Sequence, residues 1–359
     1  MMTSRLGYMF CLSVFLLPQL ASSQPSPSAS PQQQLIDDLR QVEQDPIDIK
    51  LVNNIHYVAS DESHHFRFKK DLDALGGVFV GIGTNQNYTM LPWAKPELAI
   101  MMDFDQMVVD VHRLYRVAFL NTATPREFLK LWTRRSAKRF KAFIETSYGD
   151  DPKMLKNVKR AFRYARGRIS RALRRTKKTL REHRQSSFLT SQDEFDFIVR
   201  MFKEDRIVML RGDLTKDGTM RRFGDVLRKH QQIVRVYHPS NAEQYFPYKE
   251  NYRRNVRALP HDAQSIVVRT RAWAQYIDLT EEERDVLAAD IESGKRTFEA
   301  DAPELRQPPQ RKVIHYVYAV QKQEHFLEWL ARPATTNVRD MLPGRSFVKN
   351  KRFEIGPPK

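Results

Sequence analysis

Cysteine is almost absent from these 359 residues: Cys11 stands alone, inside an N-terminal apolar run. Disulfides, a thiolate nucleophile and cysteine-ligated metal are thereby excluded for everything after it. Long hydrophobic runs are missing as well, since after the first 23 residues none reaches the length that spans a bilayer. No G-x-S-x-G elbow is present, which removes the usual serine-hydrolase signature. His64-His65 and His112 lack partners at metal-ligand spacing, so the sequence predicts no metal site. Acidic residues are scarce in one segment: Arg126–Arg184 holds 21 Lys and Arg against 5 Asp and Glu. The rest of the chain is close to neutral, although the whole carries +17.

The N-terminus has the order of an export signal. Arg5 precedes the apolar core Phe10–Leu17, Pro18 breaks it, and Ala21-Ser22-Ser23 offers small residues for cleavage. The expectation is a signal peptide over 1–23 and a periplasmic or extracellular protein, with no lipobox before Cys11. Gln24–Gln34, nearly all Pro, Ser and Gln, reads as a disordered linker. The remaining chain divides into a first half (35–125), a basic helical insertion (126–186), a second half (187–332) and an extended tail (333–359).

The stretch around which the chain is organised is Gly76–Asn87, GGVFVGIGTNQN. Val78–Val80 is a short β-favouring run, and Gly81-Ile82-Gly83 breaks it before Thr84, Asn85 and Gln86. A buried strand, a glycine turn and a helix start read this way, and such a turn lets a ligand approach the backbone. Gln86 stands where the third glycine of G-x-G-x-x-G would be. Leu98–Met102 predicts the next strand, ending at Asp103-Phe104-Asp105. Asp103 lies 20 residues after Gly83, the distance at which a carboxylate meets a ribose diol in a βαβ nucleotide unit. It would equally serve as N-cap of the helix Gln106–Leu120.

Further capping boxes at Thr124 and Ser191 open helices, and Ser240 with Glu243 predicts another. Ser60–Leu75 reads as a helix. Strands are predicted at Ile207–Leu210, Ile233–Tyr237, Ser265–Arg269 and Lys312–Val320, and an acidic helix at Thr280–Gly294. Strands alternating with helices define an α/β class: a Rossmann-like, doubly wound, mostly parallel sheet with a basic helical insertion. In such sheets ligands bind beyond the carboxyl ends of the strands. Polar residues collect there: Gly81, Gly83, Asn85 and Gln86; Asp103 and Asp105; Gly212 and Asp213; His238, Ser240 and Asn241. Turns and caps alone also place polar residues at strand ends.

Pro152–Glu182 is the most regular stretch. Leu155, Val158, Phe162, Ala165, Ile169, Ala172 and Thr176 recur at spacings of 3 and 4, giving a helix roughly 45 Å long with one apolar seam and a basic face. With few aromatic residues interleaved, residues 152–184 suit an anionic envelope polymer or membrane surface rather than specific nucleic acid. An exported, non-enzymatic polyanion binder is therefore one functional reading.

A second reading comes from resemblance. GGVFVGIGTNQNYT, the acidic end of LAIMMDFD, the RGDL turn and VYHPSNAEQYF are similar, in order and spacing, to an uncharacterised bacterial family. Its members are labelled as resembling class I S-adenosylmethionine-dependent methyltransferases. The resemblance implies S-adenosylmethionine, or another small nucleoside-type ligand, with Gly81 and Gly83 beside the methionine part. Asp103 or Asp105 would hold the ribose, and Asp213 would lie by the adenine. His238, Ser240, Asn241, Glu243 and Tyr245 would stand on the substrate side. No Asn-Pro-Pro-Tyr occurs at the fourth strand, and turnover is left open. An exported chain meets little cytosolic S-adenosylmethionine. Three readings therefore stand side by side: a misread signal, a different ligand, or a fold kept without its chemistry.

Overall fold

The computed structural model describes residues 30–47, 51, 55–278, 281–282, 286, 310–342 and 351–358. The signal segment, the acidic stretch Thr280–Gly294 for the most part, and the Pro-rich Ala300–Gln310 before its last residue lie outside them. Seven strands form one sheet in the order β3-β2-β1-β4-β5-β6-β7. They are β1 Val78–Ile82, β2 Leu98–Asp103, β3 Ile207–Arg211, β4 Val234–Ser240, β5 Ile266–Asp278, β6 Gln310–Lys322 and β7 Arg352–Ile355. Strands β1 to β5 pair in parallel, β6 runs antiparallel to β5, and β7 is parallel to β6. Strand order reverses between β1 and β4, so the switch point falls beside the glycine turn that follows β1.

The central strands are buried on both faces, and their side chains alternate between two cores. Phe79, Ala99 and Met101 enter one, whereas Val78, Val80, Leu98, Ile100 and Met102 enter the other. The first core is covered by α3 (Asn85–Ala94), α4 (Gln106–Leu120), α7 (Pro152–Glu182) and α8 (Gln192–Lys203). The second is covered by α1 (Pro31–Arg40), α9 (Thr219–Lys229), α10 (Glu250–Arg257) and α11 (Gln323–Ala331). Helices on both faces of a mostly parallel sheet make the doubly wound, Rossmann-like arrangement.

Several local expectations change. The linker ends earlier than its composition suggests: Ser30 accepts from the Gln33 N–H and Pro31 occupies the first turn, so Pro31–Gln34 are helical. Ser60–Leu75 is not one helix. Only His65–Phe68 and α2 (Lys69–Leu72) are helical, and the polar residues before them are irregular. The helix capped by Thr124 stops at Leu131 (α5, from Pro125), and α6 (Ala137–Tyr148) starts afresh. The tail contributes β7, pairing Arg352–Ile355 with Tyr318–Gln321.

The basic insertion lies in the crossover between β2 and β3, yet it is no separate domain. Val158, Phe162, Ala165 and Ile169 of α7 and Phe140 and Ile144 of α6 belong to the same buried cluster as Phe79 and Met101. Buried apolar area of this kind stabilises by roughly 25 cal/mol per Å². The seam is therefore part of the domain's core, and only the outer face of α7 is left for charge.

Candidate functional site

At the switch point lies a hollow of about 350 Å³. Its floor and walls come from the ends of β1 (Ile82, Gly83, Thr84), β2 (Asp103, Phe104, Asp105) and β4 (Ser240, Asn241), from Gln86 of α3, and from Tyr245. The irregular segment 55–62 and Tyr316 of β6 close it. Of the residues singled out in the sequence, Gly83, Gln86, Asp103, Asp105, Ser240, Asn241 and Tyr245 line this one hollow.

The glycine turn is shaped by specific bonds. Gly83 has φ +86°, a conformation that favours glycine, and its carbonyl accepts from His112 Nε2 at 2.8 Å. A carbonyl only accepts, so His112 carries its proton on Nε2 and accepts at Nδ1 from the Tyr88 hydroxyl, also 2.8 Å away. Burial lowers the His112 pKa to about 4, which keeps the ring neutral. His112 is thus committed to the turn. Gln86 folds back, accepting from the Thr84 N–H at 3.0 Å and donating to the Ile82 carbonyl at 3.2 Å. A side chain in place of the third glycine therefore closes the loop internally.

Asp103 ends β2 and is buried at the hollow's edge. Its Oδ1 accepts from the Asp105 N–H at 2.9 Å. Burial raises its pKa to about 7, with Asp105 and Asp213 adding to the shift and the Asp105 and Gly83 N–H groups opposing it. The N-cap of α4 is Asp105 rather than Asp103: its Oδ1 accepts from Met107 N at 2.9 Å, and its Oδ2 meets His56 Nδ1 at 2.7 Å.

Segment 55–62 is the part of the site that sequence reasoning missed. Its Ser60 N–H donates to Asn85 Oδ1 at 2.8 Å, and its Ser60 carbonyl accepts from Arg175 Nη2 at 2.6 Å. His56 packs edge-on against Tyr164 of α7, with ring centroids 5.1 Å apart. The basic helix therefore holds the segment from behind. The absence of helical apolar spacing before Phe66 was the available signal. Ser240 ends β4 in a left-handed conformation (φ +55°), and its hydroxyl donates to Glu62 Oε1 at 2.9 Å. Glu62 also accepts from Thr270 and meets His65 Nε2, each at 2.7 Å. Burial pushes the Glu62 carboxyl up, but its bonds to His65 and Thr270 win and hold it below the usual range.

The other expected residues lie elsewhere. A Cβ on Gly81 would meet Asn87 Cγ at 2.6 Å, so this glycine admits α3 against β1. Asn85 anchors segment 55–62 rather than lining the hollow. Gly212 packs on Met102 and Thr219. Asp213 borders a separate small cavity behind Phe104, where it accepts from the Thr215 N–H and hydroxyl, both at 2.8 Å. His238 is fully buried behind the wall. Glu243 does not form a capping box with Ser240. It accepts from the Tyr248 and Tyr252 hydroxyls at 2.7 Å and pairs with Arg269 at 2.8 Å in the interior. Asn87, part of an N-x-T sequon, is wholly buried.

Two features set the hollow's chemistry. Among the described residues its lining includes four carboxylates (Asp61, Glu62, Asp103 and Asp105) and no Lys or Arg. Its mouth carries Ile55, Tyr57 and Tyr245, each about half exposed, three of the five exposed large apolar side chains among the described residues.

Strand order and the position of the hollow define a Rossmann-like α/β protein with an acidic cavity at its switch point. The chain belongs to DUF7790, a domain family of unknown function whose profile matches residues 57–354. A comparison with curated proteins finds no match.

Proposed function

We propose that the hollow binds a nucleoside-type ligand that is neutral or cationic where it is buried, with S-adenosylmethionine the first candidate. The observation that carries this reading is the lining itself: four carboxylates and no cationic side chain among the described residues. A pyrophosphate or nucleotide would meet repulsion there, whereas a diol or a sulfonium would be attracted. Asp103 stands where a ribose acceptor is needed, at the end of the strand after the glycine turn. Tyr57 and Tyr245 offer faces for a flat base at the mouth. The volume falls at the lower end of small-molecule sites, which run from about 300 to 1,000 Å³.

Whether a methyl group is transferred is a further step of the same proposal. Calorimetric titration of the purified chain with S-adenosylmethionine, S-adenosylhomocysteine and adenosine, with ATP as the anionic control, tests it. Binding of the first three but not of ATP is expected. Heat from none of them at millimolar concentration, or preference for ATP, overturns the reading.

A second reading attaches to the outer face of α7, independently of the hollow. Clefts there are lined by Arg174, Lys177, Lys178, Arg181 and Arg184, with Glu182 as the acidic member. We propose that this face docks on an anionic polymer or membrane surface of the envelope, consistent with an exported protein. Retention on heparin or anionic vesicles should fall steeply with salt. Retention unchanged in a Lys177→Gln/Lys178→Gln/Arg181→Gln variant removes it.

A further inference from the structure

Behind the wall formed by Glu62 lies a cluster that the nucleoside reading does not use. One carboxylate oxygen of Glu62 and one nitrogen each of His65 and His238 lie within 4.8 Å of one another, and all three residues are buried. The two imidazoles meet edge to face, with centroids 6.0 Å apart.

Asn87 fixes the protonation of His238. Its Nδ2 donates to the Ile82 carbonyl at 3.2 Å, which turns Oδ1 toward His238 Nδ1, 2.8 Å away. An amide oxygen only accepts, so the proton sits on Nδ1 and Nε2 keeps its lone pair. That Nε2 is buried and has no hydrogen-bond partner among the described residues. Interiors rarely leave such an atom without a partner. A neutral imidazole whose Nδ1–H is held by an oxygen, with Nε2 left bare, is also how histidine is prepared to bind a metal. Glu62 is prepared similarly: Ser240 and Thr270 both donate to Oε1, leaving Oε2 for the cluster.

We propose that Glu62, His65 and His238 form a binding site for a divalent transition metal of the zinc type. Two imidazoles with one carboxylate suit such ions, whereas calcium and magnesium prefer all-oxygen ligands. Ligands on a tetrahedral zinc at ~2.1 Å stand ~3.4 Å apart, so shifts of about an ångström close the site. Three protein ligands leave a position for water or another ligand. Because Glu62 and Ser240 also line the hollow, the ion lies beside the ligand space. The competing account is a proton shared between Glu62 and His65 alone, which leaves the His238 lone pair unexplained.

The test uses the full chain, stripped with chelator and titrated with Co²⁺ in the absence of any nucleoside. The expected result is a saturable visible d–d spectrum at one metal per chain, displaced by Zn²⁺. His65→Ala and His238→Ala should each lose it, and Asn87→Ser should weaken binding by about 10–100-fold. His230→Ala, at a part-buried histidine paired with Asp38 away from the cluster, should leave it unchanged. Should the alanine variants fail to fold by circular dichroism, His238→Gln replaces them, and the wild-type spectrum remains decisive. Folded wild-type chain without a saturable spectrum overturns the proposal and leaves the shared proton. A spectrum that survives loss of both histidines also overturns it. The cobalt readout needs no nucleoside and calorimetry needs no metal, so either proposal can fail without the other.

Discussion

Arg175 reaches out of the basic helix to donate a 2.6 Å hydrogen bond to the Ser60 carbonyl, tying the charged face of the molecule to the wall of its hollow. Arg175 is therefore not interchangeable with the cations around it. Arg175→Gln should loosen segment 55–62 and weaken ligand binding by roughly 1 kcal/mol, about fivefold, as for the loss of one hydrogen bond. Lys178→Gln and Arg181→Gln should leave ligand affinity unchanged and lower heparin retention. Calorimetry and salt-elution profiles on the same three variants check both statements.

Asp103 should make stability fall as pH rises. Its folded pKa, about 7, lies above the ordinary aspartate value of 3.8. Between those values the unfolded chain has released a proton that the folded chain keeps, so unfolding becomes easier as pH climbs from about 4 to about 7. The contribution is at most of order 4 kcal/mol, from about 1.4 kcal/mol per pKa unit. Asp103→Asn keeps an acceptor for the Asp105 N–H and removes the charge. Thermal melts from pH 4 to 8 should show a flatter profile for the variant and a higher Tm at pH 8.

Nucleoside binding should run the other way. A diol needs the ionised carboxylate as a double acceptor, so affinity should rise through neutrality in the wild type and lose that rise in Asp103→Asn. Calorimetry at pH 6 and pH 8 reads the difference.

Gly83→Ala should cost about 1–2 kcal/mol of stability, because an L side chain at φ +86° is strained and its Cβ would press on the Gln86 amide. Chemical denaturation measures it. Gly83→Ala should also weaken the ligand, since Gln86 and Gly83 share the hollow's edge.

Glu243→Gln should destabilise by about 3–5 kcal/mol, because it leaves the buried Arg269 guanidinium without its counter-ion. At temperatures where the variant remains folded, ligand affinity should not change. That combination separates a structural carboxylate from one in the site.

The residues differ in how far the sequence could reveal them. β1 and β2 were legible because both their faces are buried, which writes continuous apolar runs ending in glycine or aspartate. Asp103, Gly83 and Ser240 follow from that, since a strand end fixes its own neighbourhood. Residues 55–62 were not legible, because their place depends on Asn85, Arg175 and Ser240, the last 178 positions from its partner Glu62. Glu243 was misread for a related reason. Its spacing from Ser240 suits a cap, but a tyrosine pair and Arg269 offered it a better-satisfied position in the core. The cluster of Glu62, His65 and His238 was hidden because one of its members arrives on a distant strand.

The sign of the hollow is opposite to that of the molecule around it. A cation approaching from afar meets the field of a chain carrying +17 and feels attraction only close in. Added salt shortens the reach of the outer field more than that of the enclosed carboxylates. Capture of a positively charged ligand should therefore speed up with ionic strength, the reverse of ordinary electrostatic steering.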